Sequence, residues 1–268
     1  MMQRLAIGLE YDGHAYKGWQ KQPSYPTVQQ NLENALFKLT SHPVTTVCAG
    51  RTDAGVHAIG QVVHCDVMLS RLEKAWVFGV NRYLPSDIRI LWVKEIANTF
   101  DARRTALSRR YCYVIYNSRI RPSLFRHQIS WYHVQLNADL MHSAAQYWLG
   151  EHDFSSFRDS DCQSVSPFRL VKKVKVYRVG ELIFFDIIAN AFLHHMVRNM
   201  VGVLLEIGTK KHDPEWAREV LIARDRKAAG VTAKPNGLYL IGVQYPEEFA
   251  LSTINNVPWF FQNMGITI

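Results

Sequence analysis

The 268-residue chain is 48% apolar, enough for a buried core, and its length admits one large domain or two of ordinary size. Its 31 Lys and Arg outnumber its 23 Asp and Glu for a formal charge of +8, a balance that suits a polyanionic partner such as nucleic acid without forming a basic tail. The opening MMQRLAIGLE has no continuous apolar run, and the longest apolar stretch, Phe192 to Gly208, is broken by His194, His195, Arg198, Asn199 and Glu206, so neither a signal peptide nor a membrane span is expected.

Leu5, Ile7, Leu9 and Tyr11 alternate with polar or small residues, the period of a half-buried strand that ends at Asp12-Gly13. After a polar loop and Pro26, Thr27 and Gln30 form a capping box for a helix whose apolar face is Val28, Leu32, Ala35, Leu36 and Leu39, stopping before His42-Pro43. Val44 to Ala49 and Gln61 to Val67 read as strands on either side of the loop GRTDAGVHA. Ser70 and Glu73 make a second capping box before Leu72, Trp76, Val80 and Tyr83, and Ile88 to Ile96 is a closing strand. Strand, helix, strand, strand, helix, strand is the order of a split β-α-β unit, the ferredoxin-like arrangement.

The second half repeats the pattern without visible sequence repetition. It offers a strand at Arg110 to Tyr116, a helix at Ala138 to Leu149 opened by Asn137, a hairpin of Leu170 to Val179 and Leu182 to Ala189 turned at Gly180-Glu181, and a helix at Phe192 to Ile207. Asp213-Pro214 then precedes a helix carrying Trp216, Val220 and Ala223, and Leu238 to Tyr245 is the last strand. The expected fold is α+β: two ferredoxin-like halves whose antiparallel-rich sheets flank a basic central cleft. The N-terminal αβ domain is set at 1–100, with the Asp loop. The C-terminal one is set at 101–268, with an Arg-rich joining strand and the apolar tail VPWFFQNMGITI, which could cover the protomer or a neighbour.

Arg103, Arg104, Arg109, Arg110, Arg119, Arg121 and Arg126 crowd a stretch whose only acid is Asp101, and Tyr111, Tyr113 and Tyr116 interleave with them. Planar guanidinium groups suit bidentate phosphate contact, and aromatics beside them suit stacking on unpaired bases. The same composition also fits an aromatic-packed strand with a solvated arginine face.

The loop GRTDAGVHA, Gly50 to Ala58, holds one carboxylate between two glycines. As a metal site it is poor, since His57 and His64 add no close ligand spacing and the adjacent His194 and His195 are expected to point apart on a helix. Cys48, Cys65, Cys112 and Cys162 lie far apart with no C-x-x-C pair, which favours buried thiols in a reducing cytoplasm over zinc or redox chemistry. The loop also lacks the lysine of a nucleotide-triphosphate loop. Glycosidase chemistry would require Asp12 or Asp66 to come close to Asp53. As a nucleophile Asp53 needs no activating base, a carboxylate being ordinarily ionised at neutral pH. In an extended loop Arg51 shares its side. Against this stands an ordinary Asx-type turn between Thr52 and Gly55.

Taken together, GRTDAGVHA followed by GQVVH, YDGHAYKGWQKQ (Tyr11 to Gln22), RRYCY (Arg109 to Tyr113), GEHDFSSFR (Gly150 to Arg158), NAFLHHMVRNMVGVLLEIG (Asn190 to Gly208) and AKPNGLYL (Ala233 to Leu240) resemble, in order, the blocks of the tRNA pseudouridine synthase A family. The likeness covers essentially the whole chain, with Cys65 after His64, where many members carry an aromatic, a mild departure. The resemblance implies isomerisation of uridine to pseudouridine at three adjacent positions in the anticodon stem-loop of tRNA, by a cytoplasmic homodimer with no cofactor and no required metal. It also implies Asp53 as nucleophile with Arg198 paired to it, Arg51 extruding the target nucleotide, Tyr111 stacking on the base and Leu238 lining its other side.

Two rival readings remain at this level: a non-catalytic RNA-binding protein on a ferredoxin-like scaffold, and a hydrolase of N-glycosidic bonds. The first lacks the RNP1-like run that such modules carry.

Overall fold

A computed structural model describes residues 2–251; the tail 257–268, with its expected covering role, lies outside the described residues. The chain divides into two units, one of Met1–Arg109 together with the segment that begins at Tyr239, the other of Arg110–Leu238. The division falls after Arg109 and again after Leu238, where the sequence predicts a single one after residue 100.

The first unit runs β1 (Gln3–Tyr11), α1 (Val28–Thr40), β2 (Val47–Cys48), β3 (His57–Val67), α2 (Glu73–Asn81) and β4 (Ile88–Glu95). Across its sheet the order is β4-β1-β3, with β2 also on β3, and all these pairs are antiparallel, which is the split β-α-β order expected. The pairing Gly8↔Trp92 shows how sequence tunes the sheet: a Cβ at Gly8 would meet the Trp92 indole at 2.0 Å. α1 begins where the capping residue put it, since the Thr27 side chain accepts from the Gln30 amide. α2 does not begin at the expected box. Its N-cap is Leu72, without a side-chain cap, and Ser70 lies outside the helix. The strand expected over 44–49 shrinks to Val47–Cys48 because only these residues find partners on β3.

The first residues of β3, on the edge that β2 pairs further along, are taken by the last strand, β10 (Leu238–Gln244), which returns to this unit and runs parallel to β3 through Tyr239↔His57 and Leu240↔Ala58. The approach is close: a Cβ on Gly60 would lie 2.1 Å from the Ile241 carbonyl oxygen.

The second unit holds β5 (Ser108–Asn117) from Arg110 on, β6 (Ser130–Tyr132), α3 (Ala138–Ala145), β7 (Gly150–Asp153), β8 (Phe168–Val179), β9 (Leu182–Ala189), α4 (Met196–Gly208) and α5 (Trp216–Ala223). Its strand order is β5-β9-β8-β7, with β6 on β5, so β5, α3, β8, β9 and α4 repeat the scheme of the first unit. Asn137 caps α3 by accepting from the Asp139 and Leu140 amides, and the β8–β9 hairpin turns at Gly180, whose φ is +56°.

The expected helix over 192–207 begins only at Met196, because His195 adopts φ +59° and so ends any helical run before it. α4 is buried along most of its length, and it pins the segment 231–233 against itself. Arg198 Nε donates to the Ala233 carbonyl at 2.8 Å, the Thr232 hydroxyl donates to Asn199 at 2.7 Å, and a Cβ at Gly202 would meet the Val231 carbonyl at 2.0 Å.

Candidate active site

The loop from Gly50 to Val56 leaves β2 and enters β3, and its backbone is clamped at nearly every residue. Thr52 points inward, only 7% exposed, with its hydroxyl 2.8 Å from the Tyr11 hydroxyl. Its carbonyl accepts from the Trp19 amide at 3.0 Å. Gln61 Nε2 donates to the Gly50 carbonyl at 2.7 Å and to the Tyr11 hydroxyl at 3.4 Å. Arg109 donates from Nε and Nη2 to the Ala49 carbonyl at 3.2 and 2.9 Å.

Beneath the loop sits Gly18, at φ +91°, where a Cβ would come within 2.7 Å of the Thr52 carbonyl oxygen and 3.1 Å of the Asp53 carbonyl carbon. Only glycine allows the first loop of the chain to support the second this closely.

With Thr52 buried, its neighbours keep surface: Arg51 is exposed and Asp53 half-exposed. The turn itself is closed by the main chain, the Val56 amide donating to the Asp53 carbonyl at 3.1 Å, with Gly55 at φ +77°. Burial pushes the Tyr11 phenol far above its ordinary range, against the opposing hydrogen bonds of Thr52 and Gln61, so it stays a neutral hydrogen-bonding group. Tyr11→Phe should therefore leave the Thr52 hydroxyl short of a partner and loosen the loop. We expect kcat to fall about tenfold while KM for RNA stays within about twofold; steady-state kinetics that moved KM instead would place Tyr11 in binding.

Other side chains that a carboxylate reaction could recruit are committed elsewhere. Asp66 takes both donors of the Arg4 fork at 2.8 Å, and that hydrogen bonding holds its carboxyl below the usual range despite partial burial. It is the opposite of a proton-donating acid. Asp12 accepts from the His14 amide and faces His57 Nδ1 at 3.0 Å, while the buried His57 ring stacks on Tyr239 at 4.9 Å.

In the second unit Tyr111 lies on β5, largely buried, with its ring edge-on to Phe192 at 4.9 Å. Tyr113 donates to the Lys234 carbonyl at 2.8 Å. Arg198 stands in the first turn of α4, half-buried, with Nε on the Ala233 carbonyl. Leu238 is buried at the start of β10, behind Gly237, whose φ is +88° and whose missing Cβ would lie 2.4 Å from the Val114 carbonyl. Arg51 and Asp53 thus share one loop of the first unit, and Tyr111, Arg198 and Leu238 belong to the second.

Two expectations are corrected. His194 and His195 do not diverge on a helix: they precede α4, their rings stack at 4.0 Å, and His195 Nδ1 lies 2.7 Å from Asp159. Nor is the arginine-rich stretch one surface. Arg109 clamps Ala49, and Arg110 is buried in a two-point pair with Asp186, Nε to Oδ1 at 2.8 Å and Nη2 to Oδ2 at 3.0 Å. Burial raises the Asp186 carboxyl, with Arg110 pulling against that rise. Sequence reasoning also passed over Tyr11, Gln61 and Gly18 as supports of the Asp53 loop; Gly18 lay within YDGHAYKGWQKQ and Gln61 within GQVVH, and it is their contacts that were hidden.

Fold and loop together define an α+β protein that presents a carboxylate from a sheet-borne, backbone-clamped turn. A family model described as tRNA pseudouridine synthase matches residues 8–103 and 144–246. The chain is 54% identical over 257 residues to tRNA pseudouridine synthase A of Shewanella denitrificans, covering 96% of this chain and 98% of the relative. To the proteins of the same name from Aliivibrio salmonicida and Coxiella burnetii it is 52% identical (96% of this chain, 98% of the relative) and 49% identical (97% and 99%). Among solved structures, a chain from the crystal structure of a Cbf5-Nop10-Gar1 complex aligns over 75% of this chain and 45% of that one at 12% identity, with a TM-score of 0.35, too low to bear on the fold. The chain belongs to the tRNA pseudouridine synthase family, and the enzyme is an isomerase.

Proposed function

We propose that this enzyme converts uridine to pseudouridine in the anticodon stem-loop of tRNA, with Asp53 as nucleophile. One observation carries the reading: the main chain around Asp53 is fixed by Tyr11, Trp19, Gln61 and Gly18 while the residue stays half-exposed. That is how a reactive group is held on a rigid scaffold.

The chemistry follows from the substrate. A stacked uridine must first leave its stem, at a cost of a few kcal/mol that stacking and phosphate contacts offset. Arg51 is assigned to extrusion, and Tyr111 and Leu238 to holding the base. The C1′–N1 bond then breaks, the uracil turns over, C5 bonds to C1′, the C5 proton is lost and N1 gains one. Atoms and electrons are conserved, so the net reaction calls for no redox partner. Asp53 is the anionic group that this sequence of steps needs beside the sugar, and Arg198 is assigned to balance its charge. We read the working protein as a cytoplasmic homodimer, on the ground of the family resemblance.

Purified protein incubated with undermodified tRNA should yield pseudouridine in the anticodon arm, mapped nucleotide by nucleotide. Release of free uracil would instead mark a hydrolase, and tight binding without conversion a non-catalytic RNA-binding protein.

A further inference from the structure

The second unit sends out an excursion to which the proposed reaction assigns no residue. β5 ends at Asn117 and the chain comes back as β6, parallel to β5 through Ile115↔Ser130, Tyr116↔Trp131 and Asn117↔Tyr132. Its base is stapled. Trp131 Nε1 donates to the Ser118 carbonyl at 2.8 Å, and Asn117 Nδ2 donates to the Tyr132 and Val134 carbonyls at 3.1 and 2.7 Å. The amides of Gln128 and Ile129 both donate to the Phe125 carbonyl, at 2.9 and 3.1 Å.

What this fixed base carries outward is unusual for a surface loop. Ile120, Leu124 and Phe125 are 80%, 75% and 55% exposed, and Arg119, Arg121 and Arg126 are exposed between them. Arg119 and Arg121 form no hydrogen bond or ion pair with the described residues. The sequence has no Asp or Glu from Ala102 to Ala138, so nothing in this stretch opposes the positive charge. Phe125 is held at φ +56°, a conformation that costs a non-glycine residue about 1–2 kcal/mol and is kept where surrounding structure enforces it. The loop also falls between the two stretches matched by the family model, which end at residue 103 and resume at 144.

We propose that residues 118–127 form an RNA-gripping loop, in which Arg119, Arg121 and Arg126 take backbone phosphates and Phe125 stacks on an unstacked base, adding affinity away from the reacting uridine. The inference rests on the tRNA reading above. Charge selects this partner: an acid-free cluster of guanidinium groups around an exposed ring has the chemistry of single-stranded or loop RNA recognition.

The test compares wild type with Arg119→Ala/Arg121→Ala/Arg126→Ala and with Phe125→Ala, all checked for native circular dichroism, by titrating unmodified tRNA across salt concentrations. The triple variant should bind at least about tenfold more weakly at physiological salt, and its slope of log K against log salt should shrink by about two to three, the release expected from three lost phosphate contacts. Its kcat at saturating tRNA should stay within about twofold. Phe125→Ala should weaken binding at least about fivefold, the lower end for one stacked base, and Phe125→Trp should restore it. Unchanged affinity and slope in the triple variant, with wild type binding and converting tRNA normally, would overturn the loop while leaving the enzyme reading intact. So would a loss of kcat alone, or a loss of binding to anionic phospholipid vesicles with tRNA affinity preserved. Wild type that fails to bind tRNA would overturn both.

Discussion

Asp53→Asn should stop turnover, lowering kcat by on the order of 10⁴-fold or more, the scale seen when a group that bonds to the reacting atoms is removed. Asparagine matches aspartate in shape, and main-chain contacts hold the turn: the Asp53 carbonyl takes the Val56 amide, Gly55 supplies the positive φ, and Thr52 is anchored to Tyr11. Affinity for tRNA should therefore stay within severalfold of wild type and thermal stability should hardly move. Single-turnover assays at saturating enzyme separate the chemical step from binding. Residual turnover within about tenfold of wild type would remove Asp53 as nucleophile. Asp53→Glu is a finer probe, since one added methylene keeps the charge but shifts it by about 1 Å, a displacement able to cost about a hundredfold.

Arg110→Met should strongly destabilise the fold. Asp186 is 2% exposed and receives both ends of the Arg110 fork, so the variant buries a carboxylate without its guanidinium. Breaking one side of such a pair costs about 3–5 kcal/mol, whereas replacing both partners by apolar residues is often neutral or better; Arg110→Met combined with Asp186→Leu should recover most of the loss.

The pH dependence has a definite sign. Burial lifts the folded-state Asp186 carboxyl above its ordinary value and Arg110 opposes the lift. A raised folded pKa means the folded chain keeps a proton that the unfolded chain has released, so stability falls as pH rises from the unfolded value toward the folded one. Removing Arg110 lets the folded value climb further and carries that window toward neutrality. The deficit of Arg110→Met should thus be largest near neutral pH and shrink on acidification, as denaturant unfolding at two pH values would measure. A deficit that grew in acid would contradict the pairing.

The long elements were legible because their period or caps are local. β1 alternates in sequence, although residues 5–9 are all buried rather than half-buried, α1 is opened by Thr27 and α3 by Asn137, and each of those signals acts within a few residues. β6 and β7 escaped notice because three or four residues are too few to show a period and exist as strands only through their partners. The start of α4 was misplaced for another reason: Phe192 to His195 is as apolar or neutral as the first turn of the helix itself, and nothing in composition announces the positive φ of His195. Arg109 and Arg110 are the sharpest case. By composition they equal Arg119 and Arg121, yet two are bolts inside the units and two are surface groups. The difference lies in Ala49 and Asp186, sixty and seventy-six residues away. The Asp53 loop itself was readable as a motif, but its supports were not, since Tyr11 reaches Thr52 across forty-one positions.

The return of β10 to the first unit has a consequence for biosynthesis. The edge of β3 at His57 and Ala58, directly after the Asp53 turn, receives its partner only when residues 239 and 240 have been made. A nascent chain can assemble β1, α1, β3, α2 and β4 early, but it carries a bare hydrogen-bonding edge beside the Asp53 loop until translation has passed the whole of the second unit. The strand that follows the loop therefore gains this partner only once residues 239 and 240 have been made, and until then that short edge is open to pairing elsewhere.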